Sequence, residues 1–341
     1  MSLPVILEKY RAEVEAELKT IVSGRQSPLY DMMRYHLGWT DEKGTPTQNN
    51  SGKALRPALC LFSCEAVGGN YRQALPAAAA LELVHNFSLI HDDIQDDDRE
   101  RRHHPTVWAV WGKPQAINAG TAMRILANSA LVRLKGDVIP PAKQLLLGEL
   151  LDEISLKLIE GQYLDISYED RFDIKVSDYL TMINGKTAAL ISGSMEIGAF
   201  IGTADAAVVR SCAEAGRYLG LAFQIRDDVL GIWGKQEETG KPSGNDIWRK
   251  KKSYPVVFAL ENSTGAAKKE LLAIYQNGSM TGSEVKRVMA IFETAGSRDR
   301  AQKLVEEYSD QARQVFNRTN PPAAAKRDLE EMLQFLTARN Y

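Results

Sequence analysis

Five aspartates crowd the end of an apolar stretch, in the segment Ser88-Leu-Ile-His-Asp-Asp-Ile-Gln-Asp-Asp-Asp98. Asp92 and Asp96 are four residues apart, so on a helix their carboxylates project from one face, one turn apart. Like charges at this spacing destabilise a bare helix by about 0.2–0.5 kcal/mol per pair, and we therefore expect a cation beside them. Carboxylate oxygens that leave room for water and phosphate suit Mg²⁺. A lone acidic cluster is more often a solvated helix end, so a second signal must decide.

The second signal is another aspartate pair far downstream, in Phe223-Gln-Ile-Arg-Asp-Asp-Val-Leu-Gly231. Basic residues stand in the segments that could surround the two pairs: Lys53, Arg56, Arg101, Arg102, Lys186, Lys241, Lys250, Lys251 and Lys252. A divalent metal between carboxylates, with arginine and lysine around it, binds a diphosphate and neutralises it as a leaving group. The pattern predicts metal-assisted diphosphate chemistry.

The elements that must position these residues are helices. One face of the helix expected to start at Pro76 carries residues at steps of three and four: Leu81, His85, Ser88, Asp92 and Asp96. Similar apolar spacing continues along nearly the whole chain, with no alternating run of strand length. Several helices are apolar round most of their circumference, which is typical of a buried bundle. We predict a single all-α domain over residues 1–341, with an apolar interior suited to a hydrophobic diphosphate ester.

The amino-acid composition argues against several classes of protein. The chain has 341 residues, 44% apolar and 25% charged, with a net charge of −2. A chain with this net charge has no overall positive field that would attract nucleic acid or an anionic membrane. Cys60, Cys64 and Cys212 are too few for a disulfide framework, and we expect buried reduced thiols, as in the cytoplasm. No signal peptide or membrane span is evident.

Together these motifs resemble the trans-isoprenyl diphosphate synthases, or polyprenyl synthetases. The matching segments are Gly52-Lys-Ala-Leu-Arg-Pro57, Asp92-Asp-Ile-Gln-Asp96, Arg101-Arg-His-His-Pro-Thr106, Gly185-Lys-Thr187, Phe223-Gln-Ile-Arg-Asp-Asp228, Lys241 through Gly244, Asp246, and Lys251 to Pro255. The resemblance implies an isoprenoid-synthase-type helical bundle around a deep central cavity, usually a homodimer. It also implies an enzyme of isoprenoid biosynthesis, a prenyltransferase that condenses isopentenyl diphosphate with an allylic diphosphate into a linear trans-polyprenyl diphosphate.

The resemblance assigns roles by position. Asp92 and Asp96 would bind Mg²⁺ that bridges the allylic diphosphate, and Asp227 would hold the third of three ions. The positions matching the isopentenyl diphosphate site are Lys53, Arg56, His85 and Arg102. The positions around the allylic diphosphate are Arg101, Lys186, Thr187, Gln224, Lys241 and Lys251. Ionisation of the allylic substrate would depend on Asp92, Asp96, Arg101, Lys186 and Asp227.

Two positions depart from the family pattern. Gly231 stands where the second acidic motif usually ends in a third aspartate, which leaves Asp227 and Asp228 for the third metal ion. His103 replaces the glycine after the arginine pair, so a different local turn is expected. A terpene cyclase, one alternative, needs in its second motif an asparagine or aspartate followed by a serine or threonine and then a glutamate at set steps, and Asp227 to Lys235 contains no such series. A non-catalytic synthase subunit, the other, should have lost its acidic motifs.

Product length is open between geranylgeranyl, farnesyl and longer polyprenyl diphosphates. In the family, bulk at the fourth and fifth residues before the first aspartate helps to set the cavity floor. These residues are Ser88, which is small, and Phe87. Phe87 lies about 7.5 Å along the helix from Asp92 at about 1.5 Å per residue, although an ideal wheel turns it away from Asp92. With one of the two positions aromatic, we favour geranylgeranyl diphosphate.

Overall fold

The computed structural model describes residues 4–47, 52, 54–134, 139–234 and 244–337, and these are helical almost throughout. The all-α prediction is confirmed. In chain order the helices are α1 (Val5–Lys9), α2 (Arg11–Ser23), α3 (Pro28–His36), α4 (Leu55–Ala66), α5 (Leu75–Gln95), α6 (Val107–Trp111), α7 (Lys113–Leu131), α8 (Pro141–Tyr168), α9 (Val176–Ile183), α10 (Ala189–Gly202), α11 (Ala206–Trp233), α12 (Asn245–Trp248), α13 (Tyr254–Asn262), α14 (Gly265–Gln276), α15 (Gly282–Thr294), α16 (Ser297–Asn317) and α17 (Ala323–Thr337). A 3₁₀ turn, Tyr71–Ala74, precedes α5.

Helix boundaries follow local chemistry. Asp205 caps α11, because its Oδ1 accepts from the backbone N–H of Ala207 at 2.8 Å. Thr281 and Glu284 form a capping box at the start of α15.

A π turn, Asn184–Ala188, separates α9 from α10. A Cβ atom on Gly161 would lie 2.6 Å from the Cα of Lys186, so α8 and this turn touch backbone to backbone. π turns of this kind often mark functional sites.

A two-residue hairpin follows α5, with β1 (Glu100–Arg101) antiparallel to β2 (His104–Pro105). Its turn residues, Arg102 and His103, have φ of 54° and 65°. Left-handed residues at both central positions are what a type I′ hairpin turn requires, and the glycine expected from the family would meet that requirement without strain. Strands this short leave no alternating pattern, so sequence periodicity could not find them.

The chain divides into two compact units. We call residues 2–155 with 193–213 the N-terminal unit, and residues 156–192 with 214–341 the C-terminal unit. In the N-terminal unit α5 packs against α4 and α7, and its first half is buried through small alanines and leucines. In the C-terminal unit the core gathers around Tyr179, Ile225 and Tyr254.

Cys60, Cys64 and Cys212 are buried and unbridged, as predicted. A search of the described helices finds none with both the length and the apolar character needed to cross a membrane.

Candidate active site

The first acidic cluster closes α5. Asp92 lies in the last turn, partly buried, and its carbonyl accepts from the backbone N–H of Asp96 at 2.8 Å. Asp96 caps the helix and is exposed. The two carboxylates predicted to share a helix face therefore sit at the open end of α5.

Asp93, the neighbour of Asp92, has the opposite environment, since it is 1% exposed. The hairpin brings Arg101 to it, and the Arg101 Nε donates to Asp93 Oδ1 at 2.8 Å. Burial raises the pKa of Asp93, while Arg101 opposes the rise. Among the described residues nothing hydrogen-bonds Asp93 Oδ2. Asp93 thus holds Arg101 in place beside the outward aspartates.

A group of basic side chains lies further back in the N-terminal unit, around a buried glutamate. Burial lowers the pKa of Arg56 to about 10, and Glu82 opposes that shift. Burial also lowers the pKa of Arg102, again against Glu82. The pKa of His85 falls well below its usual value through burial and through the nearby positive charges of Arg56 and Arg102. The structure therefore brings together three of the four residues assigned to isopentenyl diphosphate.

Sequence reasoning missed Glu82. It is 6% exposed, and its Oε1 accepts from the Asn86 side chain at 3.1 Å. Burial raises the pKa of Glu82, while Arg56 lowers it. A single charge inside the apolar run of α5 was the available signal, because charged residues are seldom fully buried unless paired.

Two of the expected site residues, Lys53 and Lys241, lie outside the described residues. Gly52, next to Lys53, has a φ of 94°, and a Cβ there would lie 2.6 Å from Arg102 Nη2. A side chain at this position would displace the Arg102 guanidinium, and the positive φ by itself favours glycine. Gly52 therefore lies directly against the arginine of the hairpin turn.

A cavity of about 230 Å³ opens beside the hairpin in the same unit. Its lining includes His36, Thr40, Asp93, Arg101 and Arg102. The His36 Nε2 is buried and, within the described part of the chain, has no hydrogen-bond partner. Burial, Arg101 and Arg102 together lower the pKa of His36 to about 3. No sequence pattern had indicated His36.

The second acidic cluster lies on α11 in the C-terminal unit. Asp227 is exposed, whereas Asp228 is 1% exposed. Asp228 Oδ2 accepts from the Tyr179 hydroxyl at 2.5 Å and from the Tyr254 backbone N–H at 2.8 Å. Its Oδ1 accepts from Gln224 Nε2 at 3.0 Å. Both oxygens of Asp228 are thus occupied by the protein, and Asp227 is the member that faces outward.

A chain of polar contacts extends from Asp228 to other expected residues. Thr187 Oγ1 donates to Gln224 Oε1 at 2.6 Å. The Lys251 ammonium lies 3.6 Å from Asp228 Oδ1. Burial alone would lower the pKa of Lys251, but the carboxylates of Asp228, Asp246 and Asp227 outweigh it and raise the pKa.

The π turn presents Lys186, which pairs with Asp165 of α8. The sequence patterns had not indicated Asp165 or Tyr179, because each is placed at the site by tertiary packing. In the described part of the chain, no three His, Cys, Asp or Glu side chains converge as a preformed metal site.

Comparison with known proteins decides the family. The profile of the polyprenyl synthetase family matches residues 39–292, which include both acidic clusters. The chain belongs to the polyprenyl synthetase family. The resemblance to trans-isoprenyl diphosphate synthases that the motifs indicated is therefore confirmed.

Relatives of this polyprenyl synthetase carry two product names. A farnesyl diphosphate synthase of Mycobacterium tuberculosis is 39% identical over 312 residues, covering 90% of this chain and 85% of the relative. A geranylgeranyl diphosphate synthase of the same organism is 39% identical over 335 residues, covering 98% and 93%. The crystal structure of a polyprenyl synthetase from Streptomyces coelicolor A3(2) superposes with a TM-score of 0.91 at 36% identity, covering 98% of this chain and 100% of that one.

Proposed function

We propose that this polyprenyl synthetase condenses isopentenyl diphosphate with an allylic diphosphate and releases geranylgeranyl diphosphate. The observation that carries the proposal is the matched arrangement of the two acidic clusters. Each presents an outward carboxylate, Asp92 with Asp96 in one and Asp227 in the other, while its neighbouring aspartate is buried against fixed partners. Basic groups stand beside each cluster, as a diphosphate requires.

The carboxylates fit Mg²⁺. Mg²⁺ keeps several waters and is usually held by one or two carboxylates together with substrate phosphates, so it does not need three converging protein ligands. Asp92, Asp96 and Asp227 would hold the metal, and we propose three ions with substrate bound. When bound, the metal supplies charge neutralisation for the departing diphosphate. Asp93 and Asp228 fix the positions of the side chains that are hydrogen-bonded to them.

The remaining side chains bind and orient the two substrates. The allylic diphosphate would be held by Lys186, Thr187, Gln224, Lys251, Arg101 and Lys241. Lys53, Arg56 and Arg102 would hold isopentenyl diphosphate, with His85 as a neutral imidazole that donates one N–H.

The reaction needs no covalent enzyme intermediate. The allylic C–O bond breaks, and the double bond of isopentenyl diphosphate forms the new C–C bond. A proton then leaves to the released diphosphate. The protein contributes positioning, charge stabilisation and exclusion of water from the cation.

Product length is proposed from two residues of α5. Ser88 is small, and its hydroxyl donates to the His85 carbonyl of its own helix at 2.8 Å, so it adds no bulk toward Asp92. Phe87 is 4% exposed and packs edge-on against His91 at 5.7 Å. A farnesyl product is the alternative, since a farnesyl diphosphate synthase is as similar as a geranylgeranyl one. Phe87→Ala should lengthen the product and Ser88→Phe should shorten it, as chromatography of the dephosphorylated alcohols would show.

We also propose a cytoplasmic homodimer in which residues 1–341 act as one domain. On α8 a stripe of exposed apolar side chains recurs at steps of three and four: Leu156, Ile159, Tyr163 and Ile166. Exposed apolar stripes of this kind commonly cover one another between copies of a chain. Tyr163→Glu should then halve the mass seen by sedimentation, whereas a monomeric wild-type protein would count against the dimer.

The deciding experiment incubates the pure protein with isopentenyl diphosphate, dimethylallyl diphosphate and Mg²⁺. A longer linear diphosphate supports the proposal, whereas a cyclic hydrocarbon would indicate a terpene cyclase and no product a non-catalytic subunit. EDTA should abolish the activity and Mg²⁺ restore it. Arg102→Ala and His85→Ala should mainly raise the KM for isopentenyl diphosphate, while Lys186→Ala should act on the allylic substrate. Equal effects on both substrates from all three variants would defeat this partition.

A further inference from the structure

Helix α11 lacks one carboxylate that α5 has. Asp92 and Asp96 are one turn apart on α5, but the residue one turn beyond Asp227 is Gly231. Because Asp228 is buried and fully hydrogen-bonded, α11 by itself presents only Asp227 at this site. A divalent cation held by a single carboxylate gains less charge compensation than one held by two.

Another carboxylate occupies the space above Gly231. A Cβ atom built on Gly231 would lie 2.8 Å from Asp246 Oδ1 and closer still to Oδ2 and Cγ. The backbone N–H of Gly244 donates to the carbonyl of Ile232 at 2.9 Å, which fixes the start of α12 against the end of α11. Asp246, in the first turn of α12, is 9% exposed, so packing holds its side chain in place. Its carboxylate lies where a side chain at position 231 would project.

Asp246 also shares a cation with Asp227. The Lys251 ammonium interacts electrostatically with Asp228, Asp246 and Asp227. The backbone N–H of Lys251 donates to the Asp246 carbonyl at 2.9 Å, so a short loop links the two residues. The carboxylates of Asp227 and Asp246 thus belong to one charged group in the C-terminal unit.

We propose that Asp246 replaces the aspartate missing at position 231 and forms, with Asp227, the carboxylate pair that holds the divalent cation of this unit. The inference rests on the proposed function. The pair that α5 builds from one helix is here built from two, and Gly231 is required because any side chain there would displace the Asp246 carboxylate.

The first test measures metal binding without turnover. Mg²⁺ is titrated calorimetrically into the full-length protein saturated with inorganic diphosphate. Asp246→Asn should weaken the Mg²⁺ affinity about 10- to 100-fold, the usual cost of losing a partner at a metal site. Asp299→Asn, an equal charge change at an exposed position of α16, should bind like the wild type.

A second variant displaces the Asp246 carboxylate without changing the number of charges. Gly231→Ala inserts a Cβ into the space of the Asp246 carboxylate and should weaken Mg²⁺ binding in the same direction. Gly148→Ala is its control, because a Cβ on Gly148 of α8 meets no atom within 4 Å. Circular dichroism and thermal unfolding without metal establish that each variant folds.

A carboxylate exchange separates metal binding from a merely structural role of Asp246. The double variant Gly231→Asp with Asp246→Gly returns the carboxylate to α11 and should recover most of the affinity that Asp246→Gly loses. A role in anchoring the loop would leave the double variant as weak as the single one, and the proposal would be wrong. Unchanged binding in both Asp246→Asn and Gly231→Ala would also overturn it. If the wild type itself fails to bind Mg²⁺ with diphosphate, the proposed function fails, and this inference with it.

Discussion

The two aspartate pairs have the same arrangement, but the buried member of each is held by different partners. In each, one aspartate faces outward and the next is buried. Asp93 is held by a charged partner, Arg101, and keeps one oxygen without a hydrogen bond among the described residues. Asp228 is held mainly by neutral donors, Tyr179, Gln224 and the Tyr254 backbone. The first pair depends on a short hairpin, whereas the second is built into a core.

The largest expected effect is on stability. Asp228→Ala leaves several buried donors without an acceptor and should lower the free energy of unfolding by about 3–5 kcal/mol. Asp93→Ala leaves only Arg101, whose side chain is 30% exposed, and should cost about 1–3 kcal/mol. Urea denaturation measures both, with Asp299→Ala as an exposed control. Equal losses at Asp93 and Asp228 would show that the two supports do not differ.

The outward aspartates should affect turnover instead. Asp92→Ala should lower turnover at least about 100-fold, as for loss of a main electrostatic stabiliser. Asp227→Ala should also lower turnover while changing the free energy of unfolding by less than about 1 kcal/mol, because its carboxylate is exposed. Near-normal turnover in the Asp92 variant would contradict the assignment of this pair to catalysis.

Acid should destabilise the N-terminal unit before the C-terminal unit. All five histidines lie in the N-terminal unit, and the pKa of His36 is lowered to about 3 in the folded protein. Below its ordinary value of about 6.5 the unfolded chain binds a proton that the folded chain does not, so stability falls as the pH drops toward 3. The loss attributable to His36 is about 1.4 kcal/mol per pH unit within that window. Hydrogen exchange should show the N-terminal unit loosening first, and His36→Gln should reduce the slope; an unchanged slope would exclude His36 as its source.

The smallest effect concerns the hairpin that supports Asp93. His103 has a φ of 65°, a conformation that glycine adopts without strain. His103→Gly should therefore raise the free energy of unfolding by about 0.5–1 kcal/mol. His104→Gly, at a strand position, should not stabilise the protein. A stabilised His104 variant, or a destabilised His103 variant, would show that backbone strain in the turn is not what limits this region.

Local patterns predicted a large part of the molecule. Apolar spacing of three and four indicated the helices, and the two acidic motifs, together with the basic segments around them, indicated the family. These signals are readable because helix periodicity and the i, i+4 placement of Asp92 and Asp96 depend only on neighbours in sequence. Local patterns could not show which aspartate of each pair is buried, since both members have the same side chain; only the family resemblance singled out Asp92 and Asp227.

Tertiary structure decided which groups support the chemistry. Glu82, Tyr179 and Asp165 meet residues far away in sequence, and no short-range pattern marks such contacts. The clearest case is Gly231, which the sequence shows only as a missing aspartate. The fold places the Asp246 carboxylate in the space that the absent side chain leaves. Carboxylates act through their position in space, and that position is set here by the packing of α12 against α11.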